Sequence, residues 1–483
     1  MKNSNTEKKS NIGINAALNA FRYIMKIVLP LLTFPYVTRV LMPTNYGKVN
    51  YCASIISYFA LIGTLGSNEY AVREGVAFRD NRDKMEMFAS QIFTIEIIST
   101  TFSYLLICIF LAIWHADHDY KQIFLIQSIS ILLTTLGIEW IYTIYEDFAY
   151  ITLRSFLVQI ISIVLVFLLI QNKNDYKLYA AISTVAVGAG NIFNFVHARK
   201  YISLKLTKSV DLKKHIKPIL ILFCNVALIS IYLNSDKTLL GILIGDEAVG
   251  LYEVSVKIYT MIKGVLNAIV LVSLPRLSSY LRNNKYEHYN KLASKTLSSQ
   301  FIILFPVIVG LYMVSREVIL LIAGEQYMAA NSSLRILSIA LLFAVFANFY
   351  AYVIMMSQRM DKQILIATVL SAVLNITLNM IAIPKWGISG AALTTLLAEL
   401  SVTLLGVYFC KGRIRISIRK QIIIGTAIGC FGIILICEVV DQFAINLVYK
   451  LLIKIFGSVL FYSIIQIIIN RSFIKSIFKE NND

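Results

Sequence analysis

The sequence predicts an all-α polytopic membrane protein, and its composition supports this class in three ways. Hydrophobic residues make up 58% of the 483-residue chain. Charged residues make up only 15%, whereas ordinary soluble proteins contain about 25%. The apolar residues lie in long runs, and a helix that crosses a bilayer needs roughly 20 of them. These features exclude a soluble enzyme, a disordered protein, a secreted domain and a membrane β-barrel, whose strands alternate in short segments.

About fourteen candidate transmembrane helices follow one another along the chain. A window of about 19 residues places them near residues 12–38, 49–70, 88–113, 122–145, 155–171, 178–197, 217–244, 250–275, 297–320, 334–356, 364–384, 390–410, 421–438 and 447–470. The first run follows a polar, basic start and is too long for the apolar region of a cleaved signal peptide. It is therefore predicted to be a permanent span.

Basic residues are distributed unevenly between the loops on the two sides of the membrane. With fourteen spans both termini lie on one side, which holds 30 Lys and Arg residues in its loops and tails, Arg154 among them. The loops of the other side hold 11, among them Lys454. Because cytoplasmic loops carry an excess of Lys and Arg, both termini are predicted to be cytoplasmic. The net charge of +18 lies in these short loops, so nucleic-acid binding is not indicated.

The spans are predicted to form two six-helix bundles around a central cavity, followed by two C-terminal helices. The most basic loop follows the sixth span, so the N-terminal lobe is assigned to 1–208 and the C-terminal lobe to 209–412. Residues 413–483 then form the two additional helices and a cytoplasmic tail. A faint similarity between 43–47 and 245–250 indicates parallel repeats about an axis along the membrane normal.

Polar side chains in the first span fall on one face of the predicted helix. At about 100° per residue, Asn15, Asn19, Arg22 and Lys26 lie close together on that face. A charge at the bilayer centre costs roughly 2.5–3.5 kcal/mol on insertion scales, so such residues commonly face a cavity. Arg22 could instead extend to the cytoplasmic interface, but Lys26 lies deeper. We therefore predict that the pair faces a water-accessible cavity.

Later spans repeat this pattern of polar faces. In the eighth span Glu253 and Lys257 share a face, and Lys263 lies beside it without an obvious partner in its own helix. Glu253 and Lys257 could also neutralise each other as an i,i+4 pair. The excess of cations predicts an anionic substrate, such as a phosphate or a pyrophosphate. The candidate substrate-binding residues are Asn15, Asn19, Arg22, Lys26, Arg39, Tyr232, Lys257 and Lys263.

Acidic residues within the spans form a second candidate set. Each of them either couples transport to an ion or holds a neighbouring cation or helix in place, and the sequence leaves both roles open. The set comprises Glu96, Glu139, Asp236, Glu253 and Glu399.

The sequence contains no motif for catalysis or for metal binding. It has no P-loop, no H-E-x-x-H and no nucleophile elbow. The His and Asp residues at 115–119 lie in a short outer loop, where solvation is the simpler interpretation. None of the six cysteines forms a C-x-x-C pair, so no zinc site is indicated. We predict a protein that is not an enzyme and that needs no cofactor and no metal.

Four stretches of the sequence form recognisable motifs. They are TFPYVTRVLMP at 33–43, EYAVRE at 69–74 and EDFAYITLRS at 146–155, which are the most specific, and IPKWGISGAA at 383–392. With these motifs the chain resembles the polysaccharide repeat-unit flippases of the Wzx type, within the multidrug/oligosaccharidyl-lipid/polysaccharide exporter superfamily. Met42 takes the place of the glycine that is usual in the first motif.

This resemblance implies a protein of the bacterial cytoplasmic membrane that moves undecaprenyl-pyrophosphate-linked oligosaccharide repeat units from the inner to the outer leaflet. It also implies alternating access between two lobes, in the synthesis of a surface polysaccharide such as O-antigen, capsule or exopolysaccharide. The implied partners are the lipid-linked oligosaccharide and membrane lipids. A polysaccharide polymerase and a co-polymerase are further candidates.

Other functions stay open from the sequence. A flippase for a teichoic-acid precursor or for lipid II would differ in its substrate and not in its physics. A multidrug or cation antiporter of the same superfamily should carry unpaired acids in its cavity, which the excess of cations disfavours. A membrane-embedded glycosyltransferase or polymerase would present a sizeable loop with paired carboxylates.

Overall fold

A computed structural model describes residues 12–115, 117–208 and 210–473 of the chain. Regular structure in these residues is helical, and no strand occurs among them. The chain divides into two compact units, Met1–Thr238 and Leu239–Asp483, and the boundary falls within a helix. The predicted lobe boundary at 208/209 lies at the start of that helix and stays a prediction.

Fifteen α-helices form the two units in the described part of the chain. The first unit contains α1 Ile12–Thr64, α2 Ser67–Gly75, α3 Arg82–Ile113, α4 His118–Thr135, α5 Glu139–Ile144, α6 Phe148–Leu169, α7 Tyr176–Gly188, α8 Gly190–His197 and most of α9 Leu212–Leu243. The second unit contains α10 Asp246–Arg282, α11 Tyr286–Ile322, α12 Ala330–Asn348, α13 Asp361–Cys410, α14 Lys420–Asp441 and α15 Leu447–Ile469.

Twelve helical segments of the described chain are long and apolar enough to cross a membrane. Two of them, Leu29–Phe78 and Asp361–Cys410, contain 50 residues each. At 1.5 Å per residue each would extend about 75 Å, whereas the hydrocarbon core of a bilayer is about 30 Å thick. The all-α membrane class is confirmed, and the count of fourteen spans stays a prediction.

Both long elements are interrupted where the sequence separates two spans. In α1 the break lies at Met42, with φ 65° and ψ 163°, and in α13 it lies at Gly387, with φ 54° and ψ −131°. The second unit has a similar junction at Gly245, with φ 124° and ψ −178°, immediately before α10. Met42 and Gly245 stand beside the two segments whose faint similarity indicated repeats. The conformation at Met42 is one that only glycine adopts without strain.

Replacing Met42 by glycine is therefore expected to stabilise the protein. A non-glycine residue in this backbone region costs on the order of 1–3 kcal/mol, and the greater chain entropy of glycine offsets about 0.5–1 kcal/mol of the gain. The thermal unfolding temperature of the purified protein in detergent measures the difference. Met42→Ala is the matched control because alanine keeps the Cβ atom. Equal unfolding temperatures for the two variants would contradict the strain.

An extended segment of the first unit runs along α3. The backbone N–H groups of alternate residues donate to acceptors one helical turn apart, as follows: Ser203 to Glu86 Oε1 at 2.9 Å, Lys205 to Ser90 Oγ at 3.3 Å and Thr207 to Thr94 Oγ1 at 3.1 Å. Ile202 and Leu204, which alternate with these residues, pack against the core of the unit. The segment is thus fixed to the helix along both of its faces.

The second unit contains the same arrangement along α11. The backbone N–H of Arg415 donates to Asn290 Oδ1 at 3.4 Å, and that of Ser417 donates to Ser294 Oγ at 3.2 Å. The alternating apolar residues Ile414, Ile416 and Ile418 pack against the core of this unit. The number of residues that separates Asn290 from Glu86 in the sequence is the same as the number that separates Ser294 from Ser90. This recurrence supports the prediction of an internal repeat, and the parallel arrangement of the repeats stays a prediction.

The structure adds detail to one predicted span and corrects the position of one lysine. The predicted span at 122–145 matches the candidate span His118–Ile144, which is divided between α4 and α5 at Ile138, with φ 36°. Lys454, which was counted with the outer loop, lies within α15 and its side chain is fully buried. An apolar run shows that a segment can cross a membrane, but not where its helix breaks or which residue it buries.

Candidate functional site

A lysine and a glutamate that the sequence indicated separately form an ion pair in the second unit. Nζ of Lys263 in α10 donates to Oε1 of Glu399 in α13 at 2.5 Å, and the Tyr259 hydroxyl donates to the same oxygen at 3.0 Å. The side chain of Glu399 is 6% exposed and that of Lys263 is 23% exposed. Lys263, which has no obvious partner in its own helix, is thus paired with a residue of another helix, because a carboxylate buried as deeply as Glu399 requires charged or hydrogen-bonding partners.

The Lys263 ammonium group is only partly enclosed by these partners. An ammonium group has three N–H donors, and one of them is directed to Glu399. The Tyr259 ring lies 5.5 Å from Nζ, which places an aromatic side chain next to the cation. The arrangement holds a cation in a fixed position and leaves part of it accessible. It can offer charge-assisted hydrogen bonds to a phosphate oxygen or to a sugar hydroxyl.

Two further predicted residues lie one turn apart on α10. Glu253 is buried and Lys257 is half-buried. Close to them, the hydroxyl groups of Tyr252 and of Thr395 in α13 are 3.1 Å apart. The charged residues of α10 thus lie on the part of the helix that also contacts α13. Their roles in substrate binding and in ion coupling stay predictions.

Residues near the end of the first unit connect α9 to α1 through hydroxyl groups. Thr238 Oγ1 lies 2.9 Å from Ser54 Oγ and 3.0 Å from the Tyr58 hydroxyl. On the same helix, Asp236 is buried and Tyr232 is half-buried. The predicted substrate role of Tyr232 and the predicted ion-coupling role of Asp236 are compatible with these positions and stay predictions.

The polar face predicted for the first span lies outside the described side chains. Asn15, Asn19, Arg22 and Lys26 fall within α1, but the structure describes only the backbone at these positions. Arg39, on the same element, is exposed. The cationic face of the first span and the central cavity between the lobes both stay predictions.

Arg154 forms the centre of a buried polar network in the first unit. Its Nη2 donates to Glu139 Oε1 at 2.9 Å, and its Nη1 donates to the Gly190 carbonyl at 3.1 Å and to Asn191 Oδ1 at 3.2 Å. The Arg154 side chain is 9% exposed. The network joins α5, α6 and α8, which gives Glu139 a structural partner. The sequence assigned Arg154 to a cytoplasmic loop because a basic residue at the end of a span is commonly exposed.

Glu96 is buried and contacts a hydroxyl group. The Ser67 hydroxyl donates to its Oε1, and no ion pair involves Glu96 within residues 12–115, 117–208 and 210–473. One turn further along α3, the Ser99 hydroxyl donates to the Gly63 carbonyl at 2.5 Å, and Thr100 Oγ1 lies 2.6 Å from Thr135 Oγ1. Glu96 thus differs from the buried Glu317 and Glu399, each of which has a lysine partner.

An aromatic cluster lies at the ends of candidate spans in the first unit. The Tyr201 hydroxyl donates to Asp147 Oδ2 at 2.6 Å, and the Tyr145 ring stacks on the Tyr201 ring at 4.6 Å. His197 stacks on Tyr150 with ring centroids 3.9 Å apart. Burial and the hydrogen bond to Asp147 raise the pKa of Tyr201 above its ordinary value. The hydroxyl therefore stays protonated in the physiological range, and the cluster is interpreted as structural.

The C-terminal helices contain a buried charge cluster that the sequence did not indicate. Nζ of Lys454 in α15 donates to Glu317 Oε1 of α11 at 2.5 Å and to Asp441 Oδ2 of α14 at 2.8 Å. Lys450 pairs with Asp441 at 2.9 Å. Lys454 also borders a mainly apolar cavity of about 730 Å³ between α10, α11, α14 and α15. The only sequence signal was a pair of lysines four residues apart inside an apolar run.

Comparison with known proteins places these features in a family. The profile of the family described as "Polysaccharide biosynthesis protein" matches residues 12–281, which is more than half of the chain. The chain belongs to this polysaccharide biosynthesis family. The resemblance to polysaccharide flippases predicted from the sequence is confirmed at this level.

Relatives of this polysaccharide biosynthesis protein have been named in several organisms. The chain is 25% identical over 415 residues to the "Putative O-antigen transporter" of Escherichia coli K12, covering 84% of this chain and 98% of the relative. It is 25% identical over 386 residues to the "Capsular polysaccharide biosynthesis protein CapF" of Staphylococcus aureus, covering 78% of this chain and 93% of the relative.

Solved structures are similar to this family member in fold. The lipid II flippase MurJ in an inward closed conformation matches with a TM-score of 0.74 and 20% identity, over 95% of this chain and 99% of MurJ. An inward-facing multidrug resistance MATE family transporter of the MOP superfamily matches with a TM-score of 0.60 and 14% identity, over 83% of this chain and 98% of the transporter. The all-helical transporter fold is thereby confirmed.

The family match includes only some of the charged residues described above for the polysaccharide biosynthesis protein. The match ends one residue before the end of α10. It includes Glu96, Glu139, Arg154, Glu253, Lys257 and Lys263. Glu399 and the Lys454 cluster lie beyond it. The similarity to MurJ covers 95% of the chain and so extends well beyond the family match.

Proposed function

We propose that this multi-pass membrane protein translocates undecaprenyl-pyrophosphate-linked oligosaccharide repeat units from the inner to the outer leaflet of the cytoplasmic membrane. Family membership together with full-length similarity to a flippase fold is the observation that carries this proposal. The names of the O-antigen and capsule relatives support a surface polysaccharide as the end product. Both termini would be cytoplasmic, and transport would proceed without catalysis.

The charged side chains would bind the two parts of the substrate by different physical means. The partly exposed Lys263 ammonium group, held by Glu399 and Tyr259, suits the pyrophosphate. Arg22, Lys26, Arg39 and Lys257 are the other proposed phosphate contacts, and Asn15, Asn19 and Tyr232 are proposed to contact the sugar. Alternating access between the two units would expose these residues to each side of the membrane in turn.

Deletion of the gene tests the proposal and identifies the substrate. We expect lipid-linked repeat units to accumulate on the cytoplasmic side and to be detected by mass analysis of the extracted lipids. Accumulation of a teichoic-acid precursor or of lipid II would assign the protein to one of those alternatives. An unchanged lipid-linked pool and a normal surface polysaccharide would contradict flipping. Expression from a plasmid should restore the wild-type pool and serves as the control.

Drug export is a second transport function that the ion-paired acids disfavour. Glu139, Glu317 and Glu399 are each paired with a Lys or an Arg at 2.9 Å or less. A carboxylate neutralised in this way is a poor site for a cationic drug. Glu96 keeps its proposed role in ion coupling, beside Asp236 and Glu253, because its described partner is a hydroxyl group.

Replacing Glu96 by glutamine is expected to reduce flipping by about tenfold or more, which corresponds to about 1.4 kcal/mol. Glutamine keeps the shape of the side chain but cannot bind or release a coupling ion. The assay follows the appearance of lipid-linked saccharide in the outer leaflet, with the ion gradient intact and after its dissipation. Glu69→Gln, at an exposed position of the same unit, is the control. A full rate with unchanged sensitivity to the gradient would remove Glu96 from the coupling mechanism.

A further inference from the structure

Three arginines line a second cavity of the second unit, at the ends of its helices. The cavity has a volume of about 570 Å³, within the range of about 300–1,000 Å³ that is typical of small-molecule sites. Its polar lining includes Tyr286, Asn290, Ser357, Arg359, Arg413 and Arg415. None of the described residues that line it is acidic. The charge of the cavity is therefore uniformly positive.

Two of the arginines lie on consecutive parts of the connection after α13. Arg413 is in the turn that follows the helix, and Arg415 belongs to the extended segment along α11, in which Ile414 and Ile416 pack against the core. Because side chains alternate between the two sides of an extended chain, Arg415 lies on the side away from the core. Both of these arginines are exposed. The third, Arg359, lies in the turn between the π-helical end of α12 and the start of α13, and it is also exposed.

The cavity lies where candidate membrane spans begin and end. Its lining residues are at or next to the ends of candidate spans, which end at Arg282, Met356 and Cys410 and begin at Tyr286 and Asp361. The phosphate groups of phospholipids also lie outside the hydrocarbon core. In the part of the chain that the structure describes, no ion pair involves Arg359, Arg413 or Arg415.

We propose that this cavity binds a phosphate group through Arg359, Arg413 and Arg415. A guanidinium group presents donors in a planar fork that matches two phosphate oxygens, which favours phosphate over other anions. The phosphate belongs either to an anionic lipid headgroup of the adjacent leaflet or to a soluble phosphate compound. The site is separate from the Lys263–Glu399 pair and does not depend on the proposed flipping function.

Lipid binding to the purified full-length protein tests the site. Native mass spectrometry in detergent measures the affinity for phosphatidylglycerol and for phosphatidylcholine. The variant Arg359→Gln/Arg413→Gln/Arg415→Gln is expected to bind phosphatidylglycerol at least tenfold more weakly than the wild type. The matched control, Arg199→Gln/Lys205→Gln/Lys208→Gln, removes three exposed charges from the first unit. It should stay within twofold of the wild type.

Competition separates the two sources of the phosphate. If millimolar inorganic phosphate leaves phosphatidylglycerol bound, the ligand is a lipid; if it displaces the lipid from the wild type alone, the site serves a soluble phosphate. Unchanged affinity of the triple variant for both phosphatidylglycerol and inorganic phosphate would overturn the proposal. If the triple variant aggregates, the single variant Arg413→Gln tests the site in the same phosphatidylglycerol-binding assay. About a threefold loss is expected, and an unchanged affinity would refute the site.

Discussion

Replacing Lys454 by methionine is expected to destabilise the protein by about 3–5 kcal/mol, because removal of one partner from a buried ion pair leaves the other charge uncompensated. The Lys454 side chain is fully buried and contacts two carboxylates on two other helices. Of the two carboxylates, that of Glu317 loses the most stabilisation, because its side chain is only 9% exposed. Chemical or thermal unfolding of the purified protein in detergent measures the loss.

Two variants control for the change in side-chain shape. Lys450→Met removes a lysine four residues earlier that pairs only with Asp441, a residue that is 45% exposed. Because exposed pairs contribute roughly 0–1 kcal/mol, this change should have little effect. Lys454→Met/Glu317→Gln removes both buried charges and should recover most of the lost stability, since Asp441 retains Lys450. If Lys454→Met and Lys450→Met unfold alike, the buried cluster does not stabilise the C-terminal helices.

Replacing Lys263 by methionine is expected to reduce flipping on the order of 100-fold. Loss of one partner of a buried, hydrogen-bonded charge pair costs roughly 2–5 kcal/mol, and about 2.8 kcal/mol corresponds to 100-fold. The variant removes the cation that we propose as a substrate contact, and Glu399 keeps the Tyr259 hydroxyl at 3.0 Å. The rate at which lipid-linked saccharide reaches the outer leaflet is the measurement.

A double variant distinguishes substrate binding from packing. Lys263→Met/Glu399→Gln removes both charges, so it should fold as stably as the wild type while flipping stays low. Lys263→Arg keeps a cation beside Glu399 and should restore part of the rate. If the double variant flips at the wild-type rate, Lys263 serves only to neutralise Glu399, and the phosphate contact must be sought among the other cations.

The sequence identified several participants in the buried pairs but not the pairs themselves. Lys263 and Glu399 were both candidates, yet they lie 136 residues apart and only the contact between α10 and α13 joins them. Arg154 was assigned to a loop because its burial depends on α8, which the sequence could not place beside it. Lys454 was assigned to the outside because a lysine near the end of a span commonly reaches water.

The substitution at Met42 shows the same limit at a single residue. In the sequence it is a small departure from a motif that usually has glycine. In the structure it is a residue with φ 65° at the break between two helical segments. The glycine that is usual at this position of the motif therefore suits a backbone with positive φ. The sequence motif by itself does not reveal that dihedral angle.

By itself the sequence determined the class, the membrane segments and the family resemblance. These follow from local properties, because a segment in hydrocarbon must be apolar and must satisfy its own backbone hydrogen bonds, which a helix does. Only the tertiary structure decided which buried charges neutralise each other and which stay accessible. That outcome depends on which helix faces meet across more than a hundred residues of chain, and periodicity along a single helix carries no information about it.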